Sequence, residues 1–86
     1  MAVCNSKISL VMNERHAELL ADFYLSQARQ YNSQHNYLRA FLHYLMFAQL
    51  EKQKFKEEEH VTEFLNITHA LVTKLEQQGK KDKVEH

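Results

Sequence analysis

Apolar residues in the first third of the chain recur at steps of three and four. Between residues 6 and 31 they are Ile8, Val11, Met12, Leu19, Leu20, Phe23, Tyr24, Ala28 and Tyr31. This spacing is the period of one helix face, so the segment predicts a first helix. Asn13 followed by Glu14 is a second plausible start, with a cap residue and an acidic first turn. Residues 1–12 are therefore set apart as an N-terminal segment that can itself be helical, and both starts stay open.

The middle of the chain predicts a second helix that is apolar around most of its circumference. A polar cluster of turn-forming residues, 32–36, ends in Asn36 immediately before the apolar run 37–50, where a cap is expected. Only Arg39, His43 and Gln49 are polar in that run, so the helix belongs in the middle of a bundle. A chain of 86 residues has few helices to surround it, so part of this surface is expected to face a partner or a second copy.

A charged stretch separates the second helix from a third. Residues 51–59 read EKQKFKEEE, and a break is expected near residues 52–56. Beyond it, residues with an a/d-like spacing are Val61, Phe64, Leu65, Thr68, Leu71, Val72 and Leu75. Gly79 predicts the end of this helix, and residues 79–86 a charged, flexible tail. A three-helix domain is thus expected over residues 13–78.

Composition favours an all-α fold. The chain has no proline and one glycine, which removes the usual residues of β-turns. Hydrophobic residues make up 44% of the chain and charged residues 26%, enough for a folded core beneath a wettable surface. We therefore expect a three-helix antiparallel bundle.

The charge balance and the cysteine content limit the expected partners and the expected cellular compartment. Eleven basic and eleven acidic side chains give a formal charge of zero, so no global field draws the protein to nucleic acid or anionic lipid. Cys4 is the single cysteine, which excludes an internal disulfide and fits a reducing compartment. No run reaches the roughly 20 apolar residues that span a bilayer. We expect a cytoplasmic protein, with nucleic-acid regulation as the least favoured function.

Candidate catalytic and metal chemistry is sparse. Glu57 and His60 have the Glu-x-x-His spacing of di-iron bundles, but the second such motif and the further carboxylates of those sites are missing. A solvated acidic turn is the better interpretation. The chain also lacks the glycines of oxyanion and phosphate-binding loops. We therefore expect no catalytic residue, no metal and no cofactor.

The first two helices carry a pattern of alanines and tyrosines. From Ala28 to Tyr44 the spacing is AxxxxxxxxYxxAxxxY. This resembles the helical hairpin of tetratricopeptide repeats and, more particularly, of MIT (microtubule interacting and trafficking) domains. A lone hairpin fits an MIT domain better, because tetratricopeptide arrays need at least about three stacked units. The resemblance implies a close contact between Ala28 and Ala40, surrounded by Tyr24, Tyr31, Tyr37 and Tyr44.

The same resemblance implies a groove beside the third helix that accepts an amphipathic helix or an extended tail motif of a partner. Its candidate contacts are Leu45, Phe64, Leu71, Leu75, Glu63 and Glu76. Phe41 and Phe47 lie on different sides of the second helix, and each is a further candidate for the partner surface. The sequence thus predicts a non-catalytic interaction module, an adaptor or chaperone-like protein. The closest alternative is a self-associating homodimer through residues 37–50.

Overall fold

Four helices make up the backbone of the computed structural model. The structure describes the backbone of residues 2–85 and the side chains of residues 15–80. Within these bounds the helices are α1 (Ala2–Ser33), α2 (Tyr37–Leu50), α3 (Lys52–Phe55) and α4 (Glu58–Glu85), and the described backbone contains no strand. The all-α class and the bounds of α2 are confirmed. The sequence predicts three helices, and the structure adds a fourth, the short α3.

The additional helix, α3, lies in the stretch where the sequence predicts a break. It is a single turn in which the Phe55 N–H donates to the carbonyl oxygen of Glu51 at 2.9 Å. The ring of Phe55 lies edge-on to those of Tyr44 and Phe64, with centroid distances of 6.1 and 5.4 Å. The one apolar residue of the charged run therefore holds this turn against the helices on either side.

The two longest helices extend past the limits that the sequence predicts. α1 begins at Ala2 and passes through residues 13 and 14 without a break. α4 continues through Gly79 to Glu85, so Gly79 does not end the helix. No glycine in the described part of the chain has the positive φ with which glycine stops a helix. The side chains of residues 1–14 and 81–86, which include the expected N-terminal segment and most of the expected tail, lie outside the described residues.

Helix length alone does not make a membrane span here. α1 and α4 contain 32 and 28 residues, more than the roughly 20 that cross a bilayer. Among the described residues, however, no helix combines that length with an apolar stretch capable of crossing a membrane.

The connection between α1 and α2 is a Schellman turn. His35 adopts a left-handed conformation with φ of 61°, in the position after a helix where glycine is usual. The Asn36 N–H donates to the carbonyl oxygen of Tyr31 at 2.9 Å, and the His35 N–H donates to that of Asn32 at 3.0 Å. Asn36 then occupies the N-cap position of α2 without a side-chain capping bond. The turn reverses the chain, so α2 runs antiparallel to α1.

α2 lies between α1 and α4 and packs against both. Among the described side chains the buried core consists of Ala21, Ala28, Ala40, Tyr44, Phe47 and Ile67. Alanines at these positions let the backbones of α1 and α2 approach closely. Tyr24 and Tyr31 pack against the core, as expected. Tyr37 instead lies at the start of α2, where its hydroxyl oxygen is 2.8 Å from Nδ1 of His35.

Candidate functional site

A polar cluster joins α1, α2 and α4 beside the core. The Tyr44 hydroxyl donates to Oε1 of Glu63 at 2.7 Å, and Nε of Arg29 donates to both carboxylate oxygens of Glu63 at 3.1 Å. Nδ1 of His60 lies 3.1 Å from the Tyr44 oxygen. Because the single hydroxyl proton of Tyr44 goes to Glu63, Nδ1 of His60 is the donor in that contact. We call Arg29, Tyr44, His60 and Glu63 the Tyr44 cluster.

Burial raises the pKa of Tyr44 far above its ordinary range, and the hydrogen bond to Glu63 raises it further. The tyrosinate form would be poorly solvated and would face a carboxylate at hydrogen-bonding distance. The Tyr44 side chain has no exposed surface, and its proton is already donated to Glu63. The hydroxyl is therefore inaccessible to a substrate. Its hydrogen bond to Glu63 holds α2 against α4.

A pH dependence of stability follows from this arrangement. Above about pH 10, the ordinary pKa of tyrosine, Tyr44 ionises in the unfolded chain and stays neutral in the folded one. The unfolded state then binds fewer protons, so the free energy of unfolding falls as pH rises. Lysines titrate in the same range, so the measurement compares wild type with Tyr44→Phe in urea unfolding at about pH 8 and about pH 11. We expect the fall to be smaller in Tyr44→Phe, whereas parallel pH profiles would contradict the assignment.

The pair that suggested a metal site lies at the edge of the Tyr44 cluster. Nε2 of His60 is 3.8 Å from Oε2 of Glu57, and Glu59 lies 3.7 Å from Nη2 of Arg29. Among the described side chains, no three histidine, cysteine or carboxylate groups stand close enough together to hold a metal ion. Glu57 and Glu59 are exposed to solvent, so water can solvate both carboxylates.

The aromatic candidates for partner contact are packed against other residues of the fold. Phe47 is 1% exposed, so the structure places it in the core and not on a partner surface. The rings of Phe41 and Phe64 stack on each other, with centroids 5.2 Å apart and planes 26° apart. They are half-buried and hold α2 against α4. Glu63, a candidate charged contact, is bound within the Tyr44 cluster.

The leucine candidates of α4 line a groove. Leu71 and Leu75 lie beside Leu38 of α2, around a groove of about 230 Å³. The groove is also lined by the polar residues Asn36, Lys74 and Gln78. We call this the α2–α4 groove. Glu76 is exposed on the same helix, whereas Leu45 is half-buried and is not among the lining residues.

More apolar side chains reach the surface than the sequence singles out. Exposed large apolar residues among those described are Leu19, Leu20, Phe23, Leu38, Leu42, Met46, Leu65, Val72 and Leu75. On α2, the exposed members recur at steps of four and lie off the face that carries Ala40 and Tyr44. We call Leu38, Leu42 and Met46 the α2 ridge. The step of four is the signal in the sequence that identifies these residues.

Comparisons with known proteins do not indicate a function for this chain. No family model matches the chain, and no match was found among curated proteins or solved structures. The described surface combines exposed apolar residues on α2 and α4 with polar residues that line the α2–α4 groove.

Proposed function

We propose that this chain is a non-catalytic protein–protein interaction module that binds a helix or tail peptide of a larger assembly in the cytoplasm. The observation that carries the proposal is the set of large apolar side chains on α2 and α4 that are 38% to 59% exposed. Contiguous exposed apolar surface marks sites of interaction, and Leu38 and Leu75 line one groove together with Leu71. The single cysteine, Cys4, supports the cytoplasmic setting.

The α2–α4 groove is the proposed point of attachment. An amphipathic helix places apolar side chains at steps of three and four along one face, and the groove offers three leucines to receive one of them. Lys74 and Gln78 line the groove and carry hydrogen-bond donors, and Glu76 lies exposed on α4 for a basic residue of the ligand. The likeness of the first hairpin to MIT domains supports the same mode of binding.

A display library of amphipathic helical peptides tests the proposal. Peptides selected on the wild-type chain should bind Leu75→Glu at least about tenfold more weakly, since a tenfold change corresponds to 1.4 kcal/mol. The matched control is Leu19→Glu, because Leu19 lies on α1 and is 65% exposed, against 56% for Leu75. We expect this control to bind like wild type, with both variants retaining their helical circular dichroism. Equal affinity of the selected peptides for all three proteins would rule out the α2–α4 groove.

A further inference from the structure

A second cleft, of about 450 Å³, adjoins the α2–α4 groove at Lys74, which lines both. It is formed by the turn that joins α1 to α2 and by the middle of α4. Its polar lining residues are His35, Tyr37, His69, Thr73, Lys74 and Gln77. We call it the Lys74 cleft. A ligand residue anchored among the leucines of the α2–α4 groove therefore lies next to Lys74.

Contacts with the turn between α1 and α2 hold the ammonium group of Lys74 at this junction. Nζ donates to the carbonyl oxygen of His35 at 3.5 Å, and it lies 5.9 Å from the centroid of the Tyr37 ring, within the range of a cation–π contact. An ammonium group has three N–H donors, so two remain for a ligand. A charge that is already positioned loses less side-chain entropy when a ligand binds to it.

The charge of Lys74 has no counter-ion among the described side chains. Neither the α2–α4 groove nor the Lys74 cleft has a carboxylate among its described lining residues. The ion pairs in this part of the chain all involve Arg29 or His60. Glu76 is exposed on α4 but lines neither cleft. An anionic ligand group is thus attracted here, whereas a basic one would meet Lys74 with no compensating carboxylate beside it.

The paired side chains of His35 and Tyr37 add a hydrogen-bond donor to the Lys74 cleft. The Tyr37 hydroxyl oxygen and Nδ1 of His35 are 2.8 Å apart, so one proton occupies that contact. If the hydroxyl donates, neutral His35 carries its proton on Nε2; if Nδ1 donates, the hydroxyl proton remains available. Either tautomer therefore leaves one donor of the pair for an oxygen of the ligand.

We propose that the Lys74 cleft binds a carboxylate of the partner, so that the ligand of the α2–α4 groove is an acidic amphipathic helix. The inference rests on the proposed function, because it states the chemistry of the partner's helix. The groove receives one apolar side chain, and residues three or four apart share one face of a helix, with Cβ atoms about 5–6 Å apart. The ligand therefore carries Asp or Glu three or four residues from the leucine that enters the groove.

The test starts from the helical peptides selected on the wild-type chain. We expect most of them to carry Asp or Glu three or four residues from the leucine. One such peptide is then synthesised with glutamate, glutamine or lysine at that position, and each affinity is measured by fluorescence anisotropy. Wild type should bind the glutamate peptide at least about threefold more tightly than the glutamine peptide, and high salt should reduce the difference.

Charge reversal tests Lys74 as the contact. Lys74→Glu should bind the glutamate peptide at least about tenfold more weakly than wild type and should prefer the lysine peptide, because the two charges are exchanged. The matched control is Lys56→Glu, which changes the net charge equally at an exposed lysine that lines neither cleft. This control should keep the preference of wild type. If Lys74→Glu fails to fold, Lys74→Gln replaces it and should bind the glutamate and glutamine peptides equally.

Selected peptides without an acidic residue near the leucine, or the same preference for glutamate in wild type and in the Lys74 variants, would overturn the proposal. Its failure is distinguishable from failure of the proposed function. If Leu75→Glu loses peptide binding while the Lys74 variants bind as wild type does, the α2–α4 groove stands and only the acidic ligand is wrong. If Leu75→Glu binds as wild type does, the groove is wrong, and the carboxylate site beside it is wrong as well.

Discussion

Replacing Phe47 by alanine lowers the free energy of unfolding by about 3–5 kcal/mol, the range for large aromatic side chains removed from a core. The ring is 1% exposed and lies edge-on to Tyr44 and His60, with centroid distances of 5.6 and 5.1 Å. Its removal opens a cavity between α2 and α4. Because domains of ordinary stability unfold at a cost of roughly 5–15 kcal/mol, this one substitution removes a large part of the total.

The matched control for Phe47→Ala is Phe23→Ala, which makes the same chemical change on the surface. Phe23 is 55% exposed, and its ring meets the neighbouring Tyr24 at a centroid distance of 5.8 Å. We expect its loss to cost less than about 1 kcal/mol. Urea unfolding followed by circular dichroism gives both values, at one protein concentration so that any association affects the proteins alike. Similar costs for the two variants would mean that the core is misplaced.

Replacing Ile67 by alanine lowers the free energy of unfolding by about 2–5 kcal/mol and weakens the docking of α4. Ile67 is the one residue of α4 among the fully buried side chains that the structure describes, at 1% exposed. Amide hydrogen exchange should therefore accelerate more in α4 than in the α1–α2 hairpin. Because Leu71 and Leu75 reach the α2–α4 groove only when α4 is docked, binding of selected peptides should weaken as well.

Leu65→Ala provides the comparison on the same helix. Leu65 is 59% exposed and stands two residues before Ile67, so its truncation should change stability by no more than about 0.5 kcal/mol. The pair separates burial from helix propensity, since both variants place alanine in α4. An Ile67→Ala protein as stable as Leu65→Ala would show that the aromatic contacts of Phe64 and the Tyr44 cluster hold α4 without Ile67.

The hairpin was predictable from sequence because its signals are local. The run that forms α2 has polar residues on both sides, and its two ends agree with the sequence. Ala28 and Ala40 are buried as their positions in the alanine and tyrosine pattern suggest. By contrast, α3 depends on the packing of Phe55 against Tyr44 and Phe64. No local pattern in the charged run encodes that contact.

The candidate site was less predictable, because α2 is apolar on nearly every face. Periodicity identifies a helix but cannot choose which apolar face meets the core when several would serve. The positions of α1 and α4 determine which face of α2 is buried, because these helices cover Phe47 and leave Leu42 exposed. The ion pair between Arg29 and Glu63 could not be predicted from local sequence patterns either, because its partners stand 34 positions apart.

The Tyr44 cluster also determines the register of α4. Apolar residues at steps of three and four would pack almost as well after a slip of one turn, about 5.4 Å along the axis. A slip that brings Ile67 to the position of Glu63 would leave the Tyr44 hydroxyl without its acceptor, and an unsatisfied buried hydroxyl costs roughly 1–3 kcal/mol. Hydrogen bonds 2.7 and 3.1 Å long thus discriminate between alignments that apolar packing alone leaves nearly equal in energy. Leu71 and Leu75 are thereby held at one height opposite Leu38.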